Sequence, residues 1–184
     1  VAERLGFTAL NITHPCKEAV LACLDELATD AAAIGAVNTV VFSGGRRTGY
    51  NTDCWGFGES LRGNLPQAAR GRVLQLGAGG AGMAVARALL EADVGRLQIY
   101  DPDQAKAAAL AAALCRQFGA GRAETVAAVE TAAAQAEGIV NTSPVGMAKY
   151  PGSPLPPALL RPAQWVADIV YVPNVAVSRT KDGG

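Results

Sequence analysis

Val73-Leu74-Gln75-Leu76-Gly77-Ala78-Gly79-Gly80-Ala81-Gly82 decides the fold. Four residues of strand character run into a glycine turn, and Met83 to Ala92 continue with a helical pattern. A glycine turn in that setting lets backbone N–H groups approach a pyrophosphate lying on the helix N-terminus. Taken alone, the glycine pattern also fits an ordinary tight turn. Its place between a strand and a helix makes Gly77, Ala78, Gly79, Gly80 and Ala81 the expected cradle of a dinucleotide. Asp101 ends the next strand, Leu97-Gln98-Ile99-Tyr100, at roughly the expected 20 residues from the glycines. A carboxylate there accepts hydrogen bonds from ribose hydroxyls and repels a 2′-phosphate, so NAD is expected rather than NADP. Asp101 is equally suited to cap a helix that starts near Pro102.

Downstream, an alanine-rich helix is expected from about residue 102 to 118, and 123–136 reads as helical too. Gly138-Ile139-Val140-Asn141 and residues 165–170 read as strands. Upstream, residues 7–12 read as a short strand. Pro15 suits the first turn of a helix whose apolar face is Val20, Leu24, Leu27 and Ala31, ended by Gly35. Residues 36–42 form the next expected strand, and Ser43-Gly44-Gly45 a turn. A short strand then precedes Asn51, and a helix runs from near Asp53 to about Gly63. The polar stretch 64–71 is the expected hinge. Alternating strands and helices predict an α/β protein with a parallel sheet covered on both faces. The expected organisation is a Rossmann-like dinucleotide domain over 66–173, part of a smaller α/β substrate domain over 1–65, and an atypical tail over 174–184.

Bulk properties narrow the function. The chain has 184 residues, half of them hydrophobic, which suits one or two domains with a sizeable core. Acidic and basic residues balance at 16 each, so nothing favours a nucleic-acid or anionic membrane partner. No apolar run is long enough to span a bilayer and no signal-peptide pattern is present, so a cytoplasmic location is expected. The four cysteines lack zinc-type spacing and read as free thiols; no metal site is expected. Oligomeric state is left open, a homodimer included.

Polar residues ahead of the glycine turn suggest chemistry. Lys17, in Asn11-Ile12-Thr13-His14-Pro15-Cys16-Lys17, falls in the first turn of the expected helix. The helix dipole disfavours a cation there, so a lowered pKa is expected if the amine is also desolvated. Such a lysine exchanges a proton with a substrate hydroxyl, and Asp53 of Asn51-Thr52-Asp53 could hold either partner in place. Asn11, Thr13 and Asn38 supply neutral donors and acceptors suited to a polyol. The plainer alternative makes Lys17 a solvated surface residue, Asp53 an N-cap and Asn38 a turn residue.

Six ordered segments carry a family resemblance. Asn11 to Lys17, Gly35-Ala36-Val37-Asn38-Thr39 and Asn51-Thr52-Asp53-Cys54-Trp55-Gly56 resemble the signatures of the shikimate dehydrogenase family. Gly77 to Ala81, Asn141-Thr142-Ser143-Pro144-Val145-Gly146-Met147 and Asp168-Ile169-Val170-Tyr171-Val172-Pro173 are similar to its cofactor domain. The resemblance implies a metal-free alcohol dehydrogenase of the shikimate pathway of aromatic amino acid biosynthesis. Its substrate is a small polyol carboxylate, shikimate or, in some branches, quinate. It implies Lys17 as acid/base with Asp53 as partner, and substrate contacts from Asn11, Thr13, Asn38 and Tyr171. Thr142 and Pro144 join the glycine turn on the cofactor side. Tyr100-Asp101-Pro102-Asp103 replaces the Asn-Arg-Thr-type segment of NADP-using members, which resembles the NAD-dependent quinate/shikimate branch. There Lys106 occupies the place of a basic residue near the adenosine.

The resemblance also sets expectations about the ends. The family's serine segment for the substrate carboxylate would precede Val1, and its Gly-x-x-Met and glutamine segment would follow Pro173. A fragment, a truncation or a frame-shifted product is therefore expected, with little activity from this chain alone. A related alternative is a folate methylene dehydrogenase, against which the Asn-Thr-Asp segment argues. An alternative of another class is a truncated, non-catalytic nucleotide- or metabolite-binding protein.

Overall fold

The computed structural model describes residues 2–170, whose strands form two sheets. The expectations for Tyr171 and for the 174–184 tail lie outside the described residues. The first sheet is built from β1 (Ala9–Asn11), β2 (Glu26–Leu27), β3 (Thr39–Ser43) and β4 (Arg46–Tyr50), in the order β1-β3-β4-β2. β3 and β4 form an antiparallel hairpin closed by Gly44 and Gly45, both at positive φ (58° and 73°). Two positive φ values match the twist of the flanking strands, which is why glycines occupy both corners. α1 (Thr29–Ile34) precedes β3, and α2 (Asp53–Asn64) follows β4.

The long helix expected from Pro15 to Gly35 is not formed. Its span divides into turns, a 3-10 helix at Ala19–Cys23, β2 and α1. Asp25 is the reason. Its carboxylate accepts from the Arg47 backbone N–H at 2.8 Å and from the guanidinium at 2.9 and 2.7 Å. The Asp25 N–H in turn donates to the Arg47 carbonyl. This clamp draws Glu26 and Leu27 into parallel pairing with Thr48 and Gly49. Leu24 and Leu27 reach the same point, where Gly49 leaves the space; a Cβ there would lie 2.5 Å from Leu24. Helical spacing of apolar residues therefore coexists with a strand, because a specific ion pair outweighs a weak periodic preference.

The second sheet comprises β5 (Arg72–Leu76), β6 (Arg96–Tyr100), β7 (Ala123–Thr125), β8 (Gly138–Asn141) and β9 (Trp165–Asp168). All its pairings are parallel, in the order β7-β6-β5-β8-β9. α3 (Gly80–Glu91) links β5 to β6, α4 (Gln104–Phe118) links β6 to β7, and α5 (Val129–Gln135) links β7 to β8. Side chains alternate between faces. Val73, Leu97, Ile99 and Val140 pack with Val85 and Leu89 of α3 and Leu110 and Leu114 of α4. Leu74, Leu76 and Ile139 pack with Ala132, Ala133 and Ala136 of α5 and its edge. Leu61 of α2 joins the first cluster, so the helix that follows β4 is anchored on the second sheet.

Two helix limits depart from expectation. Residues 123–125 form edge strand β7, held by the Leu97 N–H on the Arg122 carbonyl and the Val126 N–H on the Ile99 carbonyl. Three residues are too few to show a period. α4 begins at Gln104, and its cap is Asp103, whose carboxylate accepts from Ala105 and Lys106 N–H. The capping role considered for Asp101 belongs to Asp103. The strand order reverses between β5 and β8, and open α/β sheets bind ligands at the carboxyl ends of such strands.

The Asp25–Arg47 clamp makes a pH prediction. The guanidinium and its hydrogen bonds hold the Asp25 carboxyl well below the usual carboxylate range. A depressed folded-state pKa contributes stability that is present above the unfolded value and lost as pH falls through the folded one. Asp25→Asn is expected to lower the melting temperature at neutral pH, with the gap to wild type closing in strong acid. A gap unchanged by acid in thermal melts at several pH values would refute the clamp.

Candidate active site

Lys17 lies in the turn ahead of the Ala19–Cys23 helix, and its carbonyl accepts the Val37 N–H at 2.9 Å. With no helix beginning at Pro15, the dipole argument for this lysine falls away. Its environment comes instead from tertiary contacts. Nζ donates to Asp53 Oδ2 at 2.6 Å, and the two side chains are only 18% and 32% exposed. Lys17 is thus not a solvated surface lysine.

Asp53 is the first residue of α2, where a negative charge suits the helix dipole. Its carboxylate does not cap that helix. Oδ2 takes the lysine, and Oδ1 accepts from Asn38 Nδ2 at 2.8 Å. Asn38 is buried between β3 and the segment before α2 and uses its whole amide. Nδ2 also donates to Thr52 Oγ1, while Oδ1 accepts from Thr52 N–H and Thr39 Oγ1. Asn51, buried beside it, donates from Nδ2 to the Ala36 carbonyl and accepts the Asp53 N–H. Three separate stretches of chain are thereby locked around one carboxylate. Asn11 and Thr13 are exposed at the end of β1 and just beyond it, next to this network through the Ile12 N–H bond to the Asn38 carbonyl. Among the described residues neither of their side chains has a hydrogen-bond partner inside the protein, which leaves both open to a ligand.

The glycine turn lies close by. Gly77 has φ 105° and packs so tightly on the Thr142–Ser143 backbone that a Cβ would fall 2.8 Å from Ser143 N. Gly79 faces open space, so its backbone is free to meet a ligand. Asp101 sits at the carboxyl end of β6. Its Oδ2 accepts the Ala78 N–H at 2.8 Å and its Oδ1 the Asp103 N–H at 2.9 Å. The Thr142 hydroxyl, buried, is spent on the carbonyls of Leu76 and Gly77. Pro144 is exposed at the same end of the sheet. Lys106, exposed in the first turn of α4, shares the wall of one groove with Ala78, Arg87 and Leu110.

Sequence reasoning missed a buttress. Gln75 is fully buried in β5, and its Nε2 donates to the carbonyls of Gly77 and Gly82 at 2.8 and 3.0 Å. An amide inside an otherwise apolar strand, two residues before a glycine turn, was the available signal. Asn141 was also missed. It joins β8 to β9 by donating to Asp168 Oδ1 at 3.1 Å, and its Oδ1 receives Ser143. The thiol of Cys54, beside Asp53, is buried and pushed up to about 12, by burial first and then by Glu91, which leaves it unreactive at neutral pH. Among the described residues no cluster suited to a metal ion occurs.

These residues make a half-buried amine–carboxylate pair beside a backbone cradle at a helix N-terminus. Asn38→Ala should cost about 2 kcal/mol in denaturant unfolding, because it strips a partner from the Asp53 carboxylate and from the Thr52 N–H. A loss near zero would show that the amide does not hold the site.

Known proteins share this arrangement of sequence. The family described as the shikimate dehydrogenase substrate binding domain matches residues 1–40. The shikimate dehydrogenase (NADP(+)) of Streptomyces avermitilis is 53% identical over 174 residues, 94% of this chain and 60% of that protein. The quinate/shikimate dehydrogenase (NAD(+)) of Corynebacterium efficiens is 47% identical over 175 residues, 94% of this chain and 62% of that protein. The solved quinate dehydrogenase from Corynebacterium glutamicum in complex with NAD superimposes with a TM-score of 0.82 at 44% identity, over 92% of this chain and 61% of that one. The chain thus spans about 60% of the length of the relatives it matches.

Proposed function

We propose that this chain, similar to shikimate and quinate/shikimate dehydrogenases over 92–94% of its length, belongs to the shikimate dehydrogenase family and carries the proton-transfer pair and the dinucleotide cradle of an NAD-dependent shikimate or quinate dehydrogenase. The observation that carries this reading is the Lys17–Asp53 contact of 2.6 Å set beside the glycine turn. In this reading residues 1–65 serve the substrate and 66–173 the cofactor.

The cradle fits a dinucleotide. Gly79 leaves its face clear, and α3, 12 residues long, presents its N-terminal N–H groups to a pyrophosphate. When bound, a nicotinamide supplies the hydride acceptor. In its unprotonated form the Lys17 amine takes the proton from the substrate hydroxyl as the carbon bearing it loses hydride and becomes a carbonyl carbon. Asp53, already in contact with Nζ, balances the ammonium that results. Asn38 fixes the carboxylate from its other side, so the amine needs little reorganisation. Asn11 and Thr13, open beside this network, orient the hydroxyls of a polyol. In reverse, the Lys17 ammonium returns the proton to the alkoxide oxygen.

The choice of NAD rests on Asp101. Relatives of both preferences resemble the chain, one named for NADP(+) and one for NAD(+), so kinship alone does not select. A carboxylate tied to the edge of the glycine turn favours free ribose hydroxyls and opposes a 2′-phosphate. In this reading Lys106, exposed in the first turn of α4, meets the adenosine.

In a full-length protein carrying this chain, Lys17→Ala should lower kcat by about 10²–10⁴ with NAD affinity kept. Near-normal turnover by that variant would remove the lysine from the mechanism. Asp101→Asn keeps an acceptor for the Ala78 N–H but loses the charge. It should relax the preference for NAD over NADP by about tenfold, the worth of roughly 1.4 kcal/mol. An unchanged ratio of kcat/KM values for the two cofactors would contradict the role given to Asp101.

A further inference from the structure

The glycine turn holds one glycine more than a dinucleotide cradle requires. Gly77, Gly79 and Gly82 fill the three places of the G-x-G-x-x-G pattern, serving the tight turn, the approach of a ligand and the close packing of helix on strand. At Gly82 an added Cβ would fall 2.5 Å from the Gly77 carbonyl oxygen, as close helix–strand packing demands. Gly80 falls at a place where that pattern accepts any residue.

Its neighbours give it a purpose. A Cβ on Gly80 would meet Lys17 Cβ at 3.0 Å, Ala36 Cβ at 3.6 Å and Lys17 Cδ at 3.7 Å. Beyond its chain neighbours and its own helix, the three nearest atoms all belong to Lys17 and Ala36. The missing side chain therefore faces the stem of Lys17. Gly80 is also the first residue of α3, so the start of the cofactor helix and the lysine stem touch directly.

The geometry points to Gly80 as a positioning residue for Lys17. The lysine is fixed at three places: its carbonyl by the Val37 N–H, its Nζ by Asp53, and its stem by the bare backbone of Gly80. The third contact ties the height of the amine to the cradle in which the nicotinamide nucleotide would lie. It links the acid/base group to the hydride acceptor without either touching the other. This inference rests on the reading of Lys17 as acid/base.

Gly80→Ala provides the test, in a full-length protein carrying this chain. A methyl at 3.0 Å forces the lysine stem aside by a few tenths of an ångström. Misplacement by 1 Å costs about a hundredfold in rate, so a fall in kcat of about tenfold is expected. NAD affinity, read by titration, should fall by less than kcat does, since the Gly80 N–H stays in the cradle and the added methyl faces Lys17. Melting temperature should not fall, because alanine is the better helix former. Gly80→Ser adds the same Cβ and should give the same split, which guards against poor folding of the alanine variant.

Wild-type kcat in both variants would overturn the proposal, as would a loss of NAD affinity that accounts for the whole loss of rate. Failure of both variants to fold would show Gly80 to be a packing residue and overturn it too. Lys17→Ala in the same assay separates the two levels. If Lys17→Ala keeps its turnover, the acid/base reading fails and this inference with it. If Lys17→Ala is inactive while both Gly80 variants turn over normally, the acid/base reading stands and only the role of Gly80 fails.

Discussion

A lysine and an aspartate 36 positions apart meet at 2.6 Å with most of both side chains withdrawn from water. Each charge is stabilised by the other, because withdrawing an ion from water without a partner costs free energy. The pairing constrains everything around it. Lys17 must leave β1 in a turn, Asp53 must open α2, and β3 must bring Asn38 between them. The hairpin of β3 and β4 sets those positions, and Gly44-Gly45 closes it. The polar network is almost fully satisfied, which makes a site of this kind specific in geometry rather than merely stable.

The second sheet meets that network at the glycine turn. The turn is braced from below by Gln75 and Thr142, and from the side by Asp101. These braces use the turn's carbonyls and one N–H, and leave the Gly79 face clear. A backbone held this way suits a ligand that must be bound in one register, since its donors need no reorganisation on binding. α2 passes from the first sheet to pack Leu61 into the core under α3, so Asp53 is fixed at one end of a helix whose other end belongs to the second sheet.

Much of this was legible in the sequence, and the failures are instructive. The strands before and after the glycine turn were readable because their apolar runs are short and bounded by turn residues. The hairpin was readable from its paired glycines. The helix expected from Pro15 to Gly35 was misread because Val20, Leu24, Leu27 and Ala31 keep helical spacing while Asp25 answers to Arg47, 22 residues away. No local window contains that partner. β2 and β7 have two and three residues and exist only through their neighbours. Lys17 and Asp53 stand out by their neighbours in sequence and do meet in the structure, but the dipole argument for the lysine depends on a helix that does not form. The resemblance implies a substrate contact for Asn38; in the structure its amide donates to Asp53, a role no local pattern announces. Gln75 carries no pattern of its own, since an amide becomes meaningful only when the carbonyls it serves are known.

The central claim is that the half-buried pair and the cradle serve one reaction, the transfer of hydride between a nicotinamide cofactor and a shikimate-type hydroxyl. The most direct measurement follows the near-ultraviolet absorbance of reduced nicotinamide after mixing full-length protein with shikimate or quinate and with NAD or NADP. The account predicts reduced cofactor with at least one of the two substrates, formed faster with NAD. Tight dinucleotide binding with no reduction in any of the four mixtures would contradict it and would favour a binding protein over a dehydrogenase.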